Sequence, residues 1–480
     1  PISTQNIFNR VNPSQHSEIV AMVEMADVTL AEKAMISAQA AFKNWKKISS
    51  NDRAAILDKA ADIMLRDRFN LMATQIMEVG KPWAEADGDI TEAIDFLRYY
   101  ARHQKELSRA LTVGHAPGET SQYIYKPRGV AVVISPWNFP LAILSGQVAA
   151  ALVTGNTVVM KPAEQSSLVA LGLWEIFKEA GLPSGVLQFV PGYGEEVGDF
   201  LVKHKDTTTI AFTGSKTVGL LIQKNAAIVQ PGQVHVKRCI IEMGGKNALI
   251  IDSDADLDEA VDAVLYSAVG FSGQKCSAAS RVIVLKDVYD KFAQRLVEAA
   301  RSIEVSGAEN PAGYYGPVVD EEAYSRLMTE IEKGSEKNKL LFKGNVPTGG
   351  YFVPVSIFSD VKYNDDLAQK EFFGPIIALI KAEDLDHALN YANSTEYALT
   401  GGAFSRSPLN IERIKQELEA GNIYINRGIT GAMVDRHPFG GYKMSGIGSK
   451  TGGPDYLKQF TEPIVVTENT MRRGFAPEEI

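Results

Sequence analysis

The 480-residue chain is poor in cysteine and histidine and has no surplus of basic residues. Cys239 and Cys276 are its two cysteines, too few for a disulfide framework, so we expect a reducing compartment. Only seven histidines and no CxxC or HExxH pattern are present, which predicts no metal site. The net charge of -9 argues against a nucleic-acid partner, because few basic residues remain to neutralise phosphates.

The chain also lacks a long uninterrupted apolar run. Residues 129–160 contain no ionisable side chain and match a membrane span in length. Pro136, Asn138, Pro140 and Gly146 divide this interval into short pieces typical of a buried α/β core, so no membrane partner is expected. The N-terminus has no signal pattern, which favours a cytoplasmic location. The start at Pro1 leaves open a processed product or a part of a longer protein.

With 45% hydrophobic and 22% charged residues, the composition is that of a globular protein of two or three domains. Apolar residues recur at helical spacing over residues 29–47, 52–77 and 84–111. An extended segment near Tyr123 then leads into an apolar strand at 131–134. A lone strand predicted at 463–467 must pair with that extended segment or across a subunit interface.

Short apolar runs alternate with helical runs along most of the remaining chain, which predicts an α/β fold with a parallel, doubly wound sheet. Before Gly244 and Gly245 we predict strands at 156–160, 186–190, 207–212 and 239–242, and helices at 141–153, 166–180, 195–202 and 218–227. After them we predict helices at 257–270, 288–303, 321–333 and 385–393, and strands at 281–285, 375–380, 401–404 and 421–425. Ligands of such sheets bind beyond the carboxyl ends of the strands.

Cys276 lies among small residues in the segment 270–281 (GFSGQKCSAASR). Small neighbours let a carbonyl group approach the sulfur, and the Cys276 amide can face the carbonyl oxygen, as nucleophilic acyl chemistry requires. The alternative is an inert buried thiol.

Two further side chains are candidates for the same chemistry. Asn138 stands in a stiff turn, residues 136–140 (PWNFP), and its NH2 group can donate to an oxyanion or cap a helix. Glu242 ends an apolar strand, where burial raises a carboxyl pKa toward that of a general base. An ion pair with a nearby lysine is the competing interpretation of Glu242.

Residues 212–219 (FTGSKTVG) follow a strand and open a helix, a place where free N–H groups suit a phosphate. Alone, this pattern also fits an ordinary turn. Lys161 and Glu164 follow a neighbouring strand. A carboxylate there can accept hydrogen bonds from the ribose hydroxyls and repels a 2′-phosphate, which favours NAD over NADP.

Six segments in order resemble the aldehyde dehydrogenase superfamily: 136–140 (PWNFP), 161–164 (KPAE), 212–215 (FTGS), 242–246 (EMGGK), 273–276 (GQKC) and 371–375 (EFFGP). The resemblance implies oxidation of an aldehyde by attack of Cys276, with Glu242 activating water for thioester hydrolysis. It further implies that NAD is bound by Ile134, Ser135, Pro136, Trp137, Lys161, Glu164, Gly194, Gly214, Ser215, Gly244, Glu371 and Phe373. The implied domains are an NAD-binding domain (1–110 and 131–243), a catalytic domain (244–452) and a small β oligomerisation element (111–130 and 453–480), expected to build a dimer-based homo-oligomer.

Residues 421–433, 436–441 and 446–456 resemble the 1-pyrroline-5-carboxylate dehydrogenases within that superfamily. The resemblance implies L-glutamate 5-semialdehyde as the small-molecule substrate and glutamate as the product. Candidate substrate contacts are Phe139, Ser277, Gly431, Ala432, Phe439 and Glu92. Gly431 also fits a simple turn, and Glu92 also fits a solvated helix residue. Serine replaces Ala432 in some relatives, so here backbone amides would serve the substrate carboxylate.

Two alternatives stay open. Another semialdehyde acid, such as succinate semialdehyde, is an alternative substrate, and comparison of initial rates discriminates it. A catalytically silent dinucleotide-binding or structural protein is the alternative of another class. The joint presence of Cys276, Glu242 and Asn138 argues against a silent protein.

Overall fold

The computed structural model describes residues 4–471, which form twenty strands and fourteen α-helices. The strands are β1 Ile7–Asn12, β2 Gln15–Glu24, β3 Leu111–Thr112, β4 Glu119–Pro127, β5 Val130–Ile134, β6 Thr157–Lys161, β7 Leu187–Phe189, β8 Thr207–Thr213, β9 Arg238–Glu242, β10 Asn247–Ile251, β11 Ala279–Leu285, β12 Lys339–Lys343, β13 Ser356–Ser359, β14 Ile376–Ala382, β15 Tyr397–Ala398, β16 Thr400–Phe404, β17 Asn422–Ile425, β18 Tyr442–Lys443, β19 Gly446–Ile447 and β20 Thr461–Asn469. The helices are α1 Val28–Trp45, α2 Ser50–Arg66, α3 Arg68–Val79, α4 Trp83–Leu107, α5 Ala142–Val153, α6 Ser167–Glu179, α7 Asp199–Lys203, α8 Lys216–Ala226, α9 Leu257–Val269, α10 Tyr289–Arg301, α11 Glu321–Lys337, α12 Asp366–Gln369, α13 Leu385–Asn393 and α14 Pro408–Glu417.

The first large sheet has the strand order β19-β9-β8-β5-β6-β7. Its five longer strands run parallel, as the βα alternation predicts. The register places Ile134 beside Lys161 on one side and Phe212 on the other, and Thr213 beside Glu242. The predicted cofactor segments and the predicted base therefore lie side by side at the C-terminal ends of these parallel strands, which we call one edge of this sheet.

The second large sheet has the order β12-β13-β14-β11-β10-β16-β17, parallel except for β12. Sequence reasoning missed β10, although it is a fully buried strand in the middle of this sheet. It also missed β12, β13, α14 and the hairpin of β1 and β2. The missed strand β10 begins at Asn247, two residues after Gly245.

The helical run predicted over residues 52–77 is two helices, because α2 ends at Arg66 and α3 begins at Arg68. Asp67 between them leaves the helical conformation (φ -95°, ψ 12°), and its carboxylate pairs with Arg66 at 2.6 Å.

The third sheet is antiparallel, with the order β20-β4-β3. Val465 pairs with Tyr123, so the prediction that the lone strand pairs with the segment near Tyr123 is confirmed within one chain. Residues 1–3 and 472–480, at the ends of two predicted domains, lie outside the described residues. Within the described part of the chain, no helix has the length and apolarity required to cross a membrane.

Candidate active site

Cys276 lies in the connection between α9 and β11, within electrostatic range of Glu242 at the end of β9. The carbonyl oxygen of Cys276 accepts a 2.7 Å hydrogen bond from Asn247 Nδ2 at the start of β10. The same amide group donates to Ala278 O at 2.9 Å, while Asn247 Oδ1 accepts from Thr400 N at 3.0 Å. Asn247 therefore fixes the backbone of the thiol-bearing loop, a role that sequence reasoning missed because β10 was missed.

The loop enters Cys276 through a turn with three successive positive φ angles, 52° at Phe271, 58° at Ser272 and 69° at Gly273. Left-handed conformations at residues other than glycine are unfavourable and persist only where neighbours fix them. Ser272 Oγ donates to Gly316 O at 2.7 Å, and Gln274 Oε1 accepts from Val319 N at 2.9 Å. These two side chains hold the turn in its strained shape.

Gly273 provides a stability test of this turn. A methyl group at Gly273 would collide with the Gly374 carbonyl, and an alanine there would also have to adopt a positive φ. We therefore expect Gly273→Ala to lower the free energy of unfolding by about 2–4 kcal/mol in urea titrations. Gly349→Ala is the matched control, because φ is +93° there but nothing lies within 4 Å, so only about 1–2 kcal/mol is expected. Equal losses in the two variants would contradict the predicted collision.

The Asn138 side chain is buried and points at the same loop, since its Nδ2 donates to Gln274 O at 3.0 Å. Helix α5 begins four residues later, and its first amides are bound by Asp89 instead. The helix-cap interpretation of Asn138 is therefore wrong. One N–H of the amide group is directed at the thiol-bearing segment, two residues before Cys276.

The Glu242 carboxylate accepts a 3.1 Å hydrogen bond from Gly441 N. Burial raises its pKa to about 8, against the lowering effects of that N–H and of the Lys450 charge. Lys450 Nζ itself donates to the Gly440 carbonyl, and no ion pair with Glu242 occurs among residues 4–471. The competing interpretation as a lysine ion pair is therefore not supported.

Cys276 retains some exposed surface, but its sulfur lies in an acidic and largely desolvated place. Burial raises the pKa of the thiol to about 12, and the charges of Glu371 and Glu242 add to this effect. The Ser277 amide, which donates toward the sulfur, acts in the opposite direction. The thiol is therefore protonated at neutral pH in this state, and its proton must be removed for attack.

Lys161 and Glu164 form an ion pair with 3.0 Å between Nζ and Oε1. Gly194 faces this carboxylate closely enough that a methyl group there would stand 4.0 Å from Oε1. Ser215 caps α8, where its side chain accepts from Val218 N. The Ser135 hydroxyl, at the end of β5, is buried without a hydrogen-bond partner in the described structure. The predicted dinucleotide groups thus share one edge of the first sheet.

Glu371 approaches the same edge from the second sheet. Its Oε1 accepts from Gly245 N at 2.9 Å, and burial raises its pKa to about 6. Gly244 has no space for a side chain, because a Cβ there would overlap the Glu371 carboxylate. The Trp137 ring stands edge-on to Phe373, with centroids 5.7 Å apart. Pro136, Gly214 and Ile134 complete the predicted set at the strand ends.

The predicted substrate contacts differ in how far they are buried. Ser277 is buried directly after Cys276, and Phe139 and Phe439 are partly buried. Gly431 has φ +76° with no atom within 4 Å of an added Cβ, so its surroundings are open, and Ala432 beside it is partly exposed. The adjacent Thr430 hydroxyl is buried and has no hydrogen-bond partner within residues 4–471.

Glu92 on α4 is partly exposed. Burial raises its pKa to about 8, with the charge of Asp89 acting in the same direction. Its charge also contributes to the raised pKa of Cys276, so the carboxylate lies within electrostatic range of the thiol. A carboxylate in such a place is ready for a cationic partner.

The family model of the aldehyde dehydrogenases matches residues 2–466. The chain belongs to the aldehyde dehydrogenase family. The family resemblance predicted from the six segments is thereby confirmed, and so is the predicted fold class. The described residues form an α/β fold with two large, mainly parallel sheets, and this fold matches that of a solved 1-pyrroline-5-carboxylate dehydrogenase.

This aldehyde dehydrogenase is 48% identical over 468 residues to the 1-pyrroline-5-carboxylate dehydrogenase of Anoxybacillus flavithermus, covering 97% of this chain and 91% of the relative. A solved 1-pyrroline-5-carboxylate dehydrogenase from Thermus with bound NAD is 43% identical, with a TM-score of 0.96 over 98% of this chain and 91% of that one. Proline utilization A from Bdellovibrio bacteriovorus is 68% identical with a TM-score of 0.98, and the match covers all of this chain but 50% of that one.

Proposed function

We propose that this aldehyde dehydrogenase oxidises L-glutamate 5-semialdehyde, the open form of 1-pyrroline-5-carboxylate, to L-glutamate with NAD. The observation that carries the proposal is that Asn138 Nδ2 donates to the thiol-bearing segment at Gln274 O while the charge of Glu242 acts on the Cys276 thiol. The names of its relatives support this choice of substrate. The candidate ammonium contact Glu92 and the candidate carboxylate contact Gly431 support a substrate that is an amino acid.

NAD fits the residues at the edge of the first sheet. Glu164 offers a carboxylate for ribose hydroxyls, the N-terminus of α8 offers free N–H groups for phosphate, and the unpaired Ser135 hydroxyl offers a further polar contact. Glu371 would bind the second ribose by the same carboxylate-to-diol pairing. The remaining members of the predicted set, among them Gly194 and Phe373, would shape the walls. Bound NAD supplies the acceptor for the hydride of the aldehyde carbon.

The side chains divide the chemistry among them. Cys276, which retains exposed surface, gives its proton to solvent, and its sulfur adds to the aldehyde carbon, giving a thiohemiacetal oxyanion that the Asn138 NH2 and the Cys276 N–H stabilise. Loss of hydride to NAD leaves a thioester. Glu242 then accepts a proton from water as the water oxygen attacks the thioester carbon. The carbon–sulfur bond breaks, the Cys276 sulfur takes up the proton from Glu242, and glutamate is released.

Glu242 predicts the pH dependence of the hydrolysis step. A base must be ionised, and with a pKa of about 8 only about one Glu242 in ten is ionised at pH 7. Where hydrolysis limits turnover, kcat is expected to rise about tenfold per pH unit below pH 8 and to level above it. Steady-state rates from pH 6 to 9 check this. A flat profile in this range, or the same inflection in Glu242→Gln, would contradict the assignment.

The substrate places an α-carboxylate and an α-ammonium away from its aldehyde. The open backbone at Gly431 and Ala432, the Ser277 hydroxyl and the unpaired Thr430 hydroxyl would receive the carboxylate. Glu92 would pair with the ammonium, which would offset the cost of its partly buried charge. Phe139 and Phe439 would pack on the aliphatic carbons between these groups.

Initial rates test the proposed substrate and cofactor together. We expect kcat/KM for 1-pyrroline-5-carboxylate with NAD to exceed that for succinate semialdehyde, which lacks the ammonium, and NAD to be preferred over NADP. A Glu92→Gln variant should lose rate on the amino-acid substrate and not on succinate semialdehyde. Preference for succinate semialdehyde would overturn the substrate, and absence of any aldehyde-dependent NADH would favour a silent protein.

We further propose a cytoplasmic, dimer-based homo-oligomer. Ile464, Val465 and Val466 leave apolar surface exposed on β20, at an edge of the third sheet, and a second copy would cover it. Both cysteines are free, as in a reducing compartment. Small-angle scattering of the purified chain would give the particle mass, and a monomer at micromolar concentration would contradict the assembly.

A further inference from the structure

Lys81 and Asp89 form a buried ion pair that contacts the backbone at Asn138 and at the start of α5. Lys81 Nζ lies 3.7 Å from Asp89 Oδ1, and neither side chain has any exposed surface. Lys81 follows Gly80, the left-handed C-cap of α3, and Asp89 stands on α4. Two opposite charges with no access to water need exact partners, because burial of a charge is costly unless it is paired and hydrogen-bonded.

Both members of this pair also form hydrogen bonds with the backbone of residues 138–142. Lys81 Nζ donates to the carbonyl oxygen of Asn138 at 2.6 Å. Asp89 Oδ2 accepts from Leu141 N at 3.1 Å, and its Oδ1 accepts from Ala142 N at 3.4 Å. The pair thus fixes residue 138 and the start of α5 together. Its contacts leave the Asn138 NH2 group free to face the thiol loop.

Lys81 also links the two walls of the reacting space. Its Nζ lies 3.8 Å from the centroid of the Phe139 ring and 4.8 Å from that of Phe271. Phe271 begins the strained turn that leads to Cys276. A cation between two aromatic faces is attracted to both, so one ammonium group connects the oxyanion donor, the apolar wall and the thiol loop.

We infer that Lys81 and Asp89 are positioning residues that hold the Asn138 amide at the distance from Cys276 that oxyanion stabilisation requires. The inference rests on the proposed function, in which Asn138 donates to the oxyanion. Neither residue touches the substrate. Their effect is geometric, and a displacement of about 1 Å of a reacting group costs about a hundredfold in rate.

A double-mutant cycle on the full chain tests the inference. We expect Lys81→Met to lower kcat by about tenfold to a hundredfold, with little change in KM for NAD. In the Asn138→Ala background, where no donor remains to be positioned, the same substitution should change kcat less than about twofold. Asp89→Asn keeps an oxygen acceptor but removes the charge, and it should lower kcat in the same way. It replaces Lys81→Met in the cycle if that variant does not fold.

Two controls separate positioning from damage to the fold. Iodoacetamide should alkylate Cys276 in Lys81→Met at the wild-type rate, and Asp62→Asn, which breaks the exposed 3.1 Å pair of Asp62 with Arg98 of α4, should leave kcat unchanged. Equal losses from Lys81→Met in the wild-type and Asn138→Ala backgrounds would overturn the inference, as would no loss in either. If Asn138→Ala itself keeps the full rate, the oxyanion role in the proposed function is wrong, and the inference falls with it.

Discussion

Replacement of Cys276 by alanine is expected to abolish aldehyde oxidation, lowering kcat by at least about a thousandfold. No other described nucleophile lies at the same place, and both the carbon–sulfur bond and the thioester depend on this sulfur. The position of the loop should persist, because Asn247 binds the carbonyl group of residue 276 and not its side chain. NADH formation from 1-pyrroline-5-carboxylate measures the loss.

Cys239→Ala is the matched control. This second thiol stands on β9, is partly exposed and has a pKa that burial raises to about 11, so it resembles Cys276 as a thiol. The control should retain the wild-type rate and melting temperature. Undiminished NADH production by Cys276→Ala, or an equal loss in Cys239→Ala, would show that the nucleophile is wrongly assigned.

Replacement of Glu242 by glutamine is expected to separate the two halves of the reaction. The amide oxygen can still accept from Gly441 N, so the shape of the site is retained, but the side chain cannot accept a proton from water. Steady-state turnover should fall about a hundredfold to ten-thousandfold. Rapid mixing with substrate and NAD should still give a burst of about one NADH per active site, because the thioester forms and then accumulates.

A surface carboxylate provides the comparison for this experiment. Glu179 pairs with Arg66 on the exterior at 2.6 Å, and Glu179→Gln should show wild-type turnover without a burst. Wild-type steady-state turnover of Glu242→Gln would exclude its role as the base. Loss of the burst together with turnover would instead place Glu242 in the removal of the thiol proton.

Much of the first sheet was predictable because its strands are largely apolar and two of them end in ionisable residues. Lys161 and Glu242 end β6 and β9, and the parallel register brings their ends to one edge. Cys276 was predictable from its small neighbours and from motifs in order. The roles of these residues remain proposals that the variants above test.

The parts that could not be predicted depend on contacts distant in the chain. Lys81 stands between two helices with no local pattern, and only folding brings it under Asn138, 57 residues away. The strained turn at Phe271 and Ser272 depends in the same way on carbonyl groups near Gly316. Asn247 had a local signal, an apolar run after two glycines, but a short run of this kind is ambiguous without its neighbours in the sheet.

The measurement that tests the central claim most directly is the stoichiometry of the products. Purified chain, 1-pyrroline-5-carboxylate and excess NAD would be mixed, and NADH and L-glutamate would be quantified at intervals. The proposed chemistry predicts one L-glutamate for each NADH throughout the reaction, and neither product from Cys276→Ala. NADH formation without glutamate, or an absence of both from the wild-type chain, would contradict the account.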